Sequence, residues 1–383
     1  MSRIDELIAQ YCPDGVEHKS LGELGGFTRG GGPQKKHLSN SGKPCIHYGQ
    51  IYTHYGLYAG ETLSFVSSEV FLSSRKASPG DVIIADTSEN DEDLAKCVAW
   101  IGDEDVAVSN HTLIYSSPLN PKYVSYFLSS NLFQQQKRRY ITGVKVRTIS
   151  EQGMSKVQIP VPPLQIQEEI VRILDKFTQL EAELEAELEA RRQQYEYYRS
   201  FLLENVCNAE ETSIANLIID VKSGKSKKSD WADDGLYPLF GSTGQIANTN
   251  QFLYSGSAIL IARVGAYAGR VYVVDGDYGV SDNALIMHPN SSWNLRFAFH
   301  QLTAINLRNI AKGGGQPLIT GSDLKKIIIK LPPLSEQERI VSILDKFDAL
   351  VNDLSSGLPA EIAARRKQYE HYRDRLLSFK ELS

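Results

Sequence analysis

Pro162–Phe177 reads PPLQIQEEIVRILDKF, and Pro332–Phe347 reads PPLSEQERIVSILDKF. A second block follows each, ARRQQYEYYRSFLL from Ala190 and ARRKQYEHYRDRLL from Ala364. The first blocks are offset by 170 residues (332 − 162) and the second by 174 (364 − 190), so four residues are inserted between them. Two matching blocks around one insertion make the chain a duplication. Ile170, Ile173, Phe177, Leu180, Leu184, Leu188, Tyr195, Tyr198 and Leu202 recur at steps of three and four. That is the stripe of a helix that packs on another helix, with one polar slot near Arg191. A helix over Gln165–Glu204 would be roughly 60 Å long at 1.5 Å per residue. Val161-Pro162-Pro163-Leu164 precedes it as a stiff extended hinge. The second copy continues the stripe through Leu350, Leu354, Leu358, Ile362, Tyr369, Tyr372 and Leu376. Its Ser355-Ser356-Gly357-Leu358-Pro359 is a poor helix interior. A break is expected there, with Pro359 in the first turn of a new helix and Ser356 or Gly357 near its cap.

Each copy follows a stretch that reads as globular. Residues 1 to about 18 predict a short helix ending at Pro13-Asp14-Gly15. Short turn-bounded strands are predicted at Cys45–Tyr52, Leu63–Val66, Asp81–Ala85, Lys96–Ile101 and Thr112–Tyr115, then a helix between Pro121 and Tyr140. Asp86–Asp93 reads as an exposed acidic loop. The second stretch predicts strands at Ile214–Val221, Ala258–Arg263, Arg270–Val274 and Ala284–Met287, then a helix from about Leu295 to Ile310. Ser213-Ile214-Ala215-Asn216-Leu217 echoes Ser20-Leu21-Gly22-Glu23-Leu24, but little else is shared. The scaffold repeats while the globular parts diverge. The expected organisation is α+β. Two mixed globular domains (1–160 and 209–330) are separated by two long repeated helices (161–208 and 331–383). The helices pair as an antiparallel coiled coil with pseudo-two-fold symmetry.

A chain of 383 residues has room for two to four domains. No apolar run approaches the roughly 18 residues of a membrane span, and MSRIDELIAQYC has no apolar core, so neither an anchor nor a signal peptide is expected. Cys12, Cys45, Cys97 and Cys207 are scattered without a CxxC pair, which fits reduced cytoplasmic thiols. The net charge of −5 hides an uneven distribution. No acid occurs between Asp105 and Glu151, a stretch that carries Lys122, Lys137, Arg138, Arg139, Lys145 and Arg147. None occurs between Asp282 and Asp323, where Arg296, Arg308 and Lys312 stand. The acids concentrate from Glu168 to Glu189, eight against Arg172 and Lys176.

Enzyme signatures are missing. There is no GxGxxG after a strand, no GxxxxGK[ST] and no [DNS]PP[YFW] segment. Gly30-Gly31-Gly32 and Gly313-Gly314-Gly315 read as flexible loops, and His37, His47 and His54 lack metal-ligand spacing. No catalytic residue and no metal site is assigned. What remains is basic. Lys137-Arg138-Arg139 with Gly143-Val144-Lys145-Val146-Arg147, and Arg308 to Gln316, lie at equivalent points, since Gly143 aligns with Gly313. Lys35, Lys36, Arg75, Lys76, Lys222, Lys225, Lys227 and Lys228 add charge. Such residues neutralise phosphates, while Gln316, Arg263, Lys145 and Arg147 are candidates to read base edges. Two unlike readers on one scaffold would recognise an asymmetric two-part site with an unread gap. The acidic helix faces would repel DNA and offer docking surface to proteins. A protein–protein adaptor without direct DNA binding is the alternative, and an enzyme acting on nucleic acid by itself a third.

The layout resembles the specificity subunit of type I restriction-modification systems, over essentially the whole chain. The segments that carry the resemblance are Pro162-Pro163-Leu164 with Gln167-Glu168 and Ile173 to Phe177, and Pro332 to Val341. Leu358 to Tyr369 and Ile261-Ala262-Arg263-Val264-Gly265-Ala266-Tyr267-Ala268-Gly269 belong with them. The resemblance implies two target-recognition domains and conserved spacer helices, in a complex with two modification (methyltransferase) subunits, joined by restriction subunits. The DNA-binding candidates then include Tyr267, and Gln167, Glu168, Arg191, Arg192, Gln337, Glu338, Arg365 and Arg366 become partner-binding candidates. S-adenosylmethionine, Mg2+ and ATP would bind the partners and none this chain. The first globular part departs from the pattern, since Asp86 stands where an Ala-Arg-x-Gly loop would have its base.

Overall fold

A computed structural model describes residues 3–313 and 316–382, so Gly314 and Gly315 of the second triple glycine lie outside it. The chain divides into two units, Met1–Glu183 with Ile362–Ser383, and Leu184–Glu361. In the first unit the core strands are Gly26–Arg29 (β1), Val82–Ala85 (β2), Cys97–Trp100 (β3) and Thr112–Ser116 (β4). They lie in the order β1-β4-β2-β3, and Tyr58–Ala59 pairs parallel with β3. β2 and β3 are buried at every residue, which explains their unbroken apolar runs. Side chains alternate across a strand. Val82, Ile84, Cys97, Ala99, Leu113 and Tyr115 therefore enter one core, and Ile83, Ala85, Val98, Trp100 and Ile114 another.

Local capping overrides two of the sequence expectations in this unit. Cys45–Tyr52 is not one strand. The strand is Lys43–Ile46, and Tyr48–Thr53 is helical because His47 and Gln50 close a reciprocal cap, Gly49 N to His47 Nδ1 at 3.2 Å and His47 N to Gln50 Oε1 at 3.1 Å. The helix expected over 121–140 is split. Pro121–Leu128 (α1) ends at Ser129, and Ser130 caps a separate helix, Asn131–Lys137. Asn120 caps α1 through its side-chain oxygen, with Pro121 in the first turn. The helix Leu164–Glu204 (α2) gives its first half to this unit and its second half to the other.

The second unit repeats the frame. Its strands are Ile218–Ser223 (β5), Ala258–Ala262 (β6), Val271–Val274 (β7) and Ala284–Pro289 (β8), in the order β5-β8-β6-β7. The registers agree as well. Leu113 stands between Arg29 and Ile84, and Leu285 between Ser223 and Ile261. The expected strand Ile214–Val221 begins later, because Ile214–Asn216 is a 3-10 turn. Helix Leu295–Ile305 (α3) is capped by Asn294, as α1 is by Asn120. The second scaffold copy is two helices, Leu334–Asn352 (α4) and Leu358–Leu376 (α5). Between them Asp353 accepts from Ser355 N and Oγ at 2.7 and 2.6 Å, a turn that stops α4.

Helix pairing is the same in both units and uses opposite copies. In the first unit Phe177 on α2 meets Tyr369 and Tyr372 on α5, with ring centroids 6.3 and 5.6 Å apart. Glu181 binds Arg366, so residue numbers rise along one helix as they fall along the other and the pair is antiparallel. In the second unit Phe347 on α4 meets Tyr195 and Tyr198 on α2 at 6.2 and 5.6 Å. Phe347 is the repeat of Phe177, and Tyr195 and Tyr198 are the repeats of Tyr369 and Tyr372.

Candidate nucleic-acid interface

The basic segment of the first unit is a hairpin, Ile141–Thr142 against Arg147–Ile149. Gly143 turns at φ +90°, where a Cβ would lie 2.0 Å from Val146 O, so only glycine fits. Lys145 is exposed at the tip, beside Val144 and Val146. Arg147 is braced, donating to Gly143 O at 2.6 Å and pairing with Asp91 at 2.8 Å. Arg138 and Arg139 are exposed on a 3-10 turn, as are Lys35, Lys36 and Arg75 elsewhere in the unit. Lys76 is half-buried, with its amine over the Phe71 ring.

Lys137 is a correction to the phosphate-contacting set. It is 1 % exposed, and its Nζ donates to Glu92 O and Leu94 O at 3.0 and 2.6 Å. Burial pushes its ammonium down to about 8, against the pull of Asp91, Asp93 and Glu92. The missed signal is position, since Lys137 is one helical turn after buried Phe133 and shares its face. K137A is expected to destabilise the first unit by about 2 kcal/mol, because two carbonyls lose their donor. R138A with R139A should leave its unfolding temperature unchanged. Thermal unfolding of the three proteins checks this, and an unaltered K137A would refute the assignment.

In the second unit Lys312 pairs with Asp323 at 2.5 Å, Gly313 turns at φ +99°, and Gln316 is exposed. Lys225, Lys227 and Lys228 are exposed on one loop. Arg263 is half-buried behind the exposed Tyr267 loop, which is bent at Gly265 and Gly269. A Cβ on Gly269 would meet Arg308 N at 2.5 Å, and Arg308 in turn donates to Ala266 O at 2.6 Å. Arg270 lies over Tyr267 and Tyr272, 5.8 and 5.3 Å from their centroids. A cleft of about 870 Å³ opens here, lined by Arg192, Arg199, Arg270, Arg296 and Arg308 with few acids. Sequence reasoning passed over Arg199 and Arg270. Arg192 and Arg199 are two turns apart on α2, a spacing that puts them on one face.

The partner-binding candidates divide. Glu168, Glu338, Arg192, Arg365 and Arg366 are exposed, and Arg191 pairs with Glu187. Gln167 and Gln337 are inside, which corrects the expectation that they face partners. Gln167 Oε1 accepts from Asn120 N at 2.9 Å and its Nε2 donates to Pro162 O at 2.8 Å. Gln337 accepts from Asn294 N at 2.8 Å and donates to Ser292 O and Pro332 O, both at 2.9 Å. Each glutamine ties its Pro-Pro hinge to the cap of the helix behind the sheet. Two turns farther on, Asp175 receives Lys122 and Tyr126, while Asp345 receives Arg296 and His300.

The model of the type I restriction modification DNA specificity domain matches residues 13–190 and again 212–364. The chain belongs to this family. The specificity subunit of the type I restriction enzyme EcoR124I/EcoR124II from Escherichia coli is 31 % identical over 420 aligned positions, covering 99 % of this chain and 97 % of that protein. Among solved structures, the S subunit of a type I restriction-modification system from M. genitalium has a TM-score of 0.58 at 13 % identity, covering 94 % of this chain and 96 % of that one. A chain from a structure of the type I R-M system, described for its assembly and conformational transition, has a TM-score of 0.61 at 19 % identity, covering 95 % and 98 %. The two matches take in the two repeated frames described above, each with the first part of the scaffold that follows it. No described helix is long and apolar enough to cross a membrane.

Proposed function

We propose that this specificity-family chain is the non-catalytic DNA-recognition subunit of a type I restriction-modification complex. Each unit reads one half of an asymmetric two-part target, and α2, α4 and α5 set the unread gap and dock two modification subunits. Restriction subunits join for cleavage, and S-adenosylmethionine, Mg2+ and ATP are bound by the partners. One observation carries the reading. Scaffold contacts recur pair by pair in the two units, whereas the exposed residues on the hairpins and loops differ in type and charge. Selection that keeps a frame and varies its face suits two readers of different sequences.

The test is selection of bound duplexes from a random pool by the complex reconstituted with modification subunits. A bipartite consensus with two unlike halves is expected. Deleting Glu185–Leu188 shortens α2 by about 6 Å and should change the gap while leaving both halves intact. Halves altered by the deletion, or binding indifferent to salt, would sink the proposal.

A further inference from the structure

The sequence predicts Asp86 at the start of an exposed acidic loop, where an Ala-Arg-x-Gly loop would have its base. The structure places it inside, at 5 % exposure, at the end of β2. Arg263 directly follows β6 in the same way. Asp86 N donates to His111 O at 3.1 Å, and Asp86 O accepts from Ile149 N at 3.0 Å. Arg263 N donates to Asn283 O at 2.8 Å, and Arg263 O accepts from Ile319 N at 2.9 Å. The next residues also pair alike, Thr87 with Thr148 and Val264 with Leu318. With Arg29 and Ser223 in matching register on the neighbouring strands, Asp86 and Arg263 occupy one position of the repeated frame with opposite charge.

The side chains are complementary. Asp86 faces a cleft of about 500 Å³ lined by Arg29, Asn110, His111, Thr142 and Thr148. Its Oδ1 accepts from Thr87 Oγ1 at 2.8 Å. Its Oδ2 stands 3.7 Å from the guanidinium of Arg29, beyond hydrogen-bonding distance, and the Arg29 side chain is 72 % exposed. A buried carboxylate oxygen held this loosely is ready to accept from a ligand donor. Arg263 offers the reverse. Its Nη1 donates to Ser223 Oγ at 3.1 Å, and its Nε is buried with no partner.

We propose that Asp86 is a specificity-determining residue of the first unit, accepting from the exocyclic amino group of an adenine or cytosine, at the position where Arg263 donates to a guanine in the second. This rests on the DNA-recognition reading above. In the major groove adenine N6 and cytosine N4 are donors, and guanine O6 and N7 are acceptors. A carboxylate can only accept and a guanidinium can only donate, so the occupant of this one position decides which base each unit takes.

The test uses the reconstituted complex and selection of bound duplexes. D86N keeps the size of the side chain and the acceptor for Thr87, and it should relax one position of one half-site by about tenfold or more, with the other half unchanged. R263Q should alter only the other half. A second measurement does not depend on the variants folding. Replacing the recognised base by an analogue without its amino group should weaken the wild-type complex by about tenfold and leave the D86N complex unaffected. Unchanged selection by D86N, or no amino group in that half whose removal weakens the wild type, would overturn the proposal. A wild-type complex that selects no bipartite site would overturn the recognition reading itself.

Discussion

Q337A is expected to destabilise the unit Leu184–Glu361 by roughly 2–4 kcal/mol, since one buried and two partly buried backbone groups lose their partner, at about 1–3 kcal/mol for a buried group and less where water can reach. Gln337 is fully buried, and its amide is the only side chain that joins Asn294 N, Ser292 O and Pro332 O among the described residues. Those groups belong to the cap of α3 and the hinge before α4, so the loss loosens the attachment of the scaffold helix to the sheet domain. Q167A leaves two groups unpaired, Asn120 N and Pro162 O, and should cost less in the first unit. Hydrogen exchange at the Asn294 amide together with urea unfolding measures both. Exchange at wild-type rates in Q337A would show that the amide is not a structural tie.

D345A is the second large effect, about 2–4 kcal/mol as expected when one partner of a partly buried ion pair is removed. Asp345 accepts from Arg296 Nε and Nη2 at 3.0 and 2.7 Å and from His300 Nε2 at 2.7 Å. Its side chain is 36 % exposed, which places the cost nearer the lower figure. Burial alone would push its carboxyl up, but Arg296 and His300 hold it below the usual carboxylate range. D175A should cost less, because Tyr126 is neutral and Lys122 keeps contact with the Tyr58 ring. The same cluster makes the second unit pH-sensitive. Burial holds His300 below the ordinary histidine value despite Asp345. The unfolded chain therefore takes up a proton that the folded one refuses, and stability falls as pH drops below about 6.5. The Asp345 contribution persists to lower pH, above about 3.9, and is lost only beneath it. Unfolding temperatures at pH 7.5 and 5.5 should drop further for the wild type than for H300F. Parallel losses would sink the histidine assignment.

Much of this frame is legible in one dimension. The offset of 170 pairs Gln167 with Gln337, Asp175 with Asp345 and Phe177 with Phe347, and each pair makes matching contacts. Their side chains sit at fixed helical phase, so spacing carries their placement. The sheets were harder. Equivalent positions drift from an offset of 194 (223 − 29) to 170 (319 − 149), because loops of different length separate the same strands. Strand pairing joins residues far apart in sequence: the sequence sets Asp86 against the base of the Ala-Arg-x-Gly loop, but only the pairing shows that Asp86 and Arg263 share one register position. Burial of polar side chains is not legible in sequence either. Lys137, Gln167 and Asp86 are polar letters whose partners, Glu92 O, Asn120 N and Thr87, include backbone groups brought close only by folding.

Repetition and spacing alone make the chain a duplicated scaffold carrying two unlike domains, with aromatic residues marking each helix. Which copy answers which aromatic was decided by tertiary structure. Phe177 and Tyr195 lie on one continuous helix, about five turns apart along it, too far along one helix for their side chains to meet. The break before α5 would let the second copy fold back and satisfy itself. Instead Phe347 packs on Tyr195, and Tyr369 on Phe177. Within each unit, then, the aromatic of one copy is closed by the other copy.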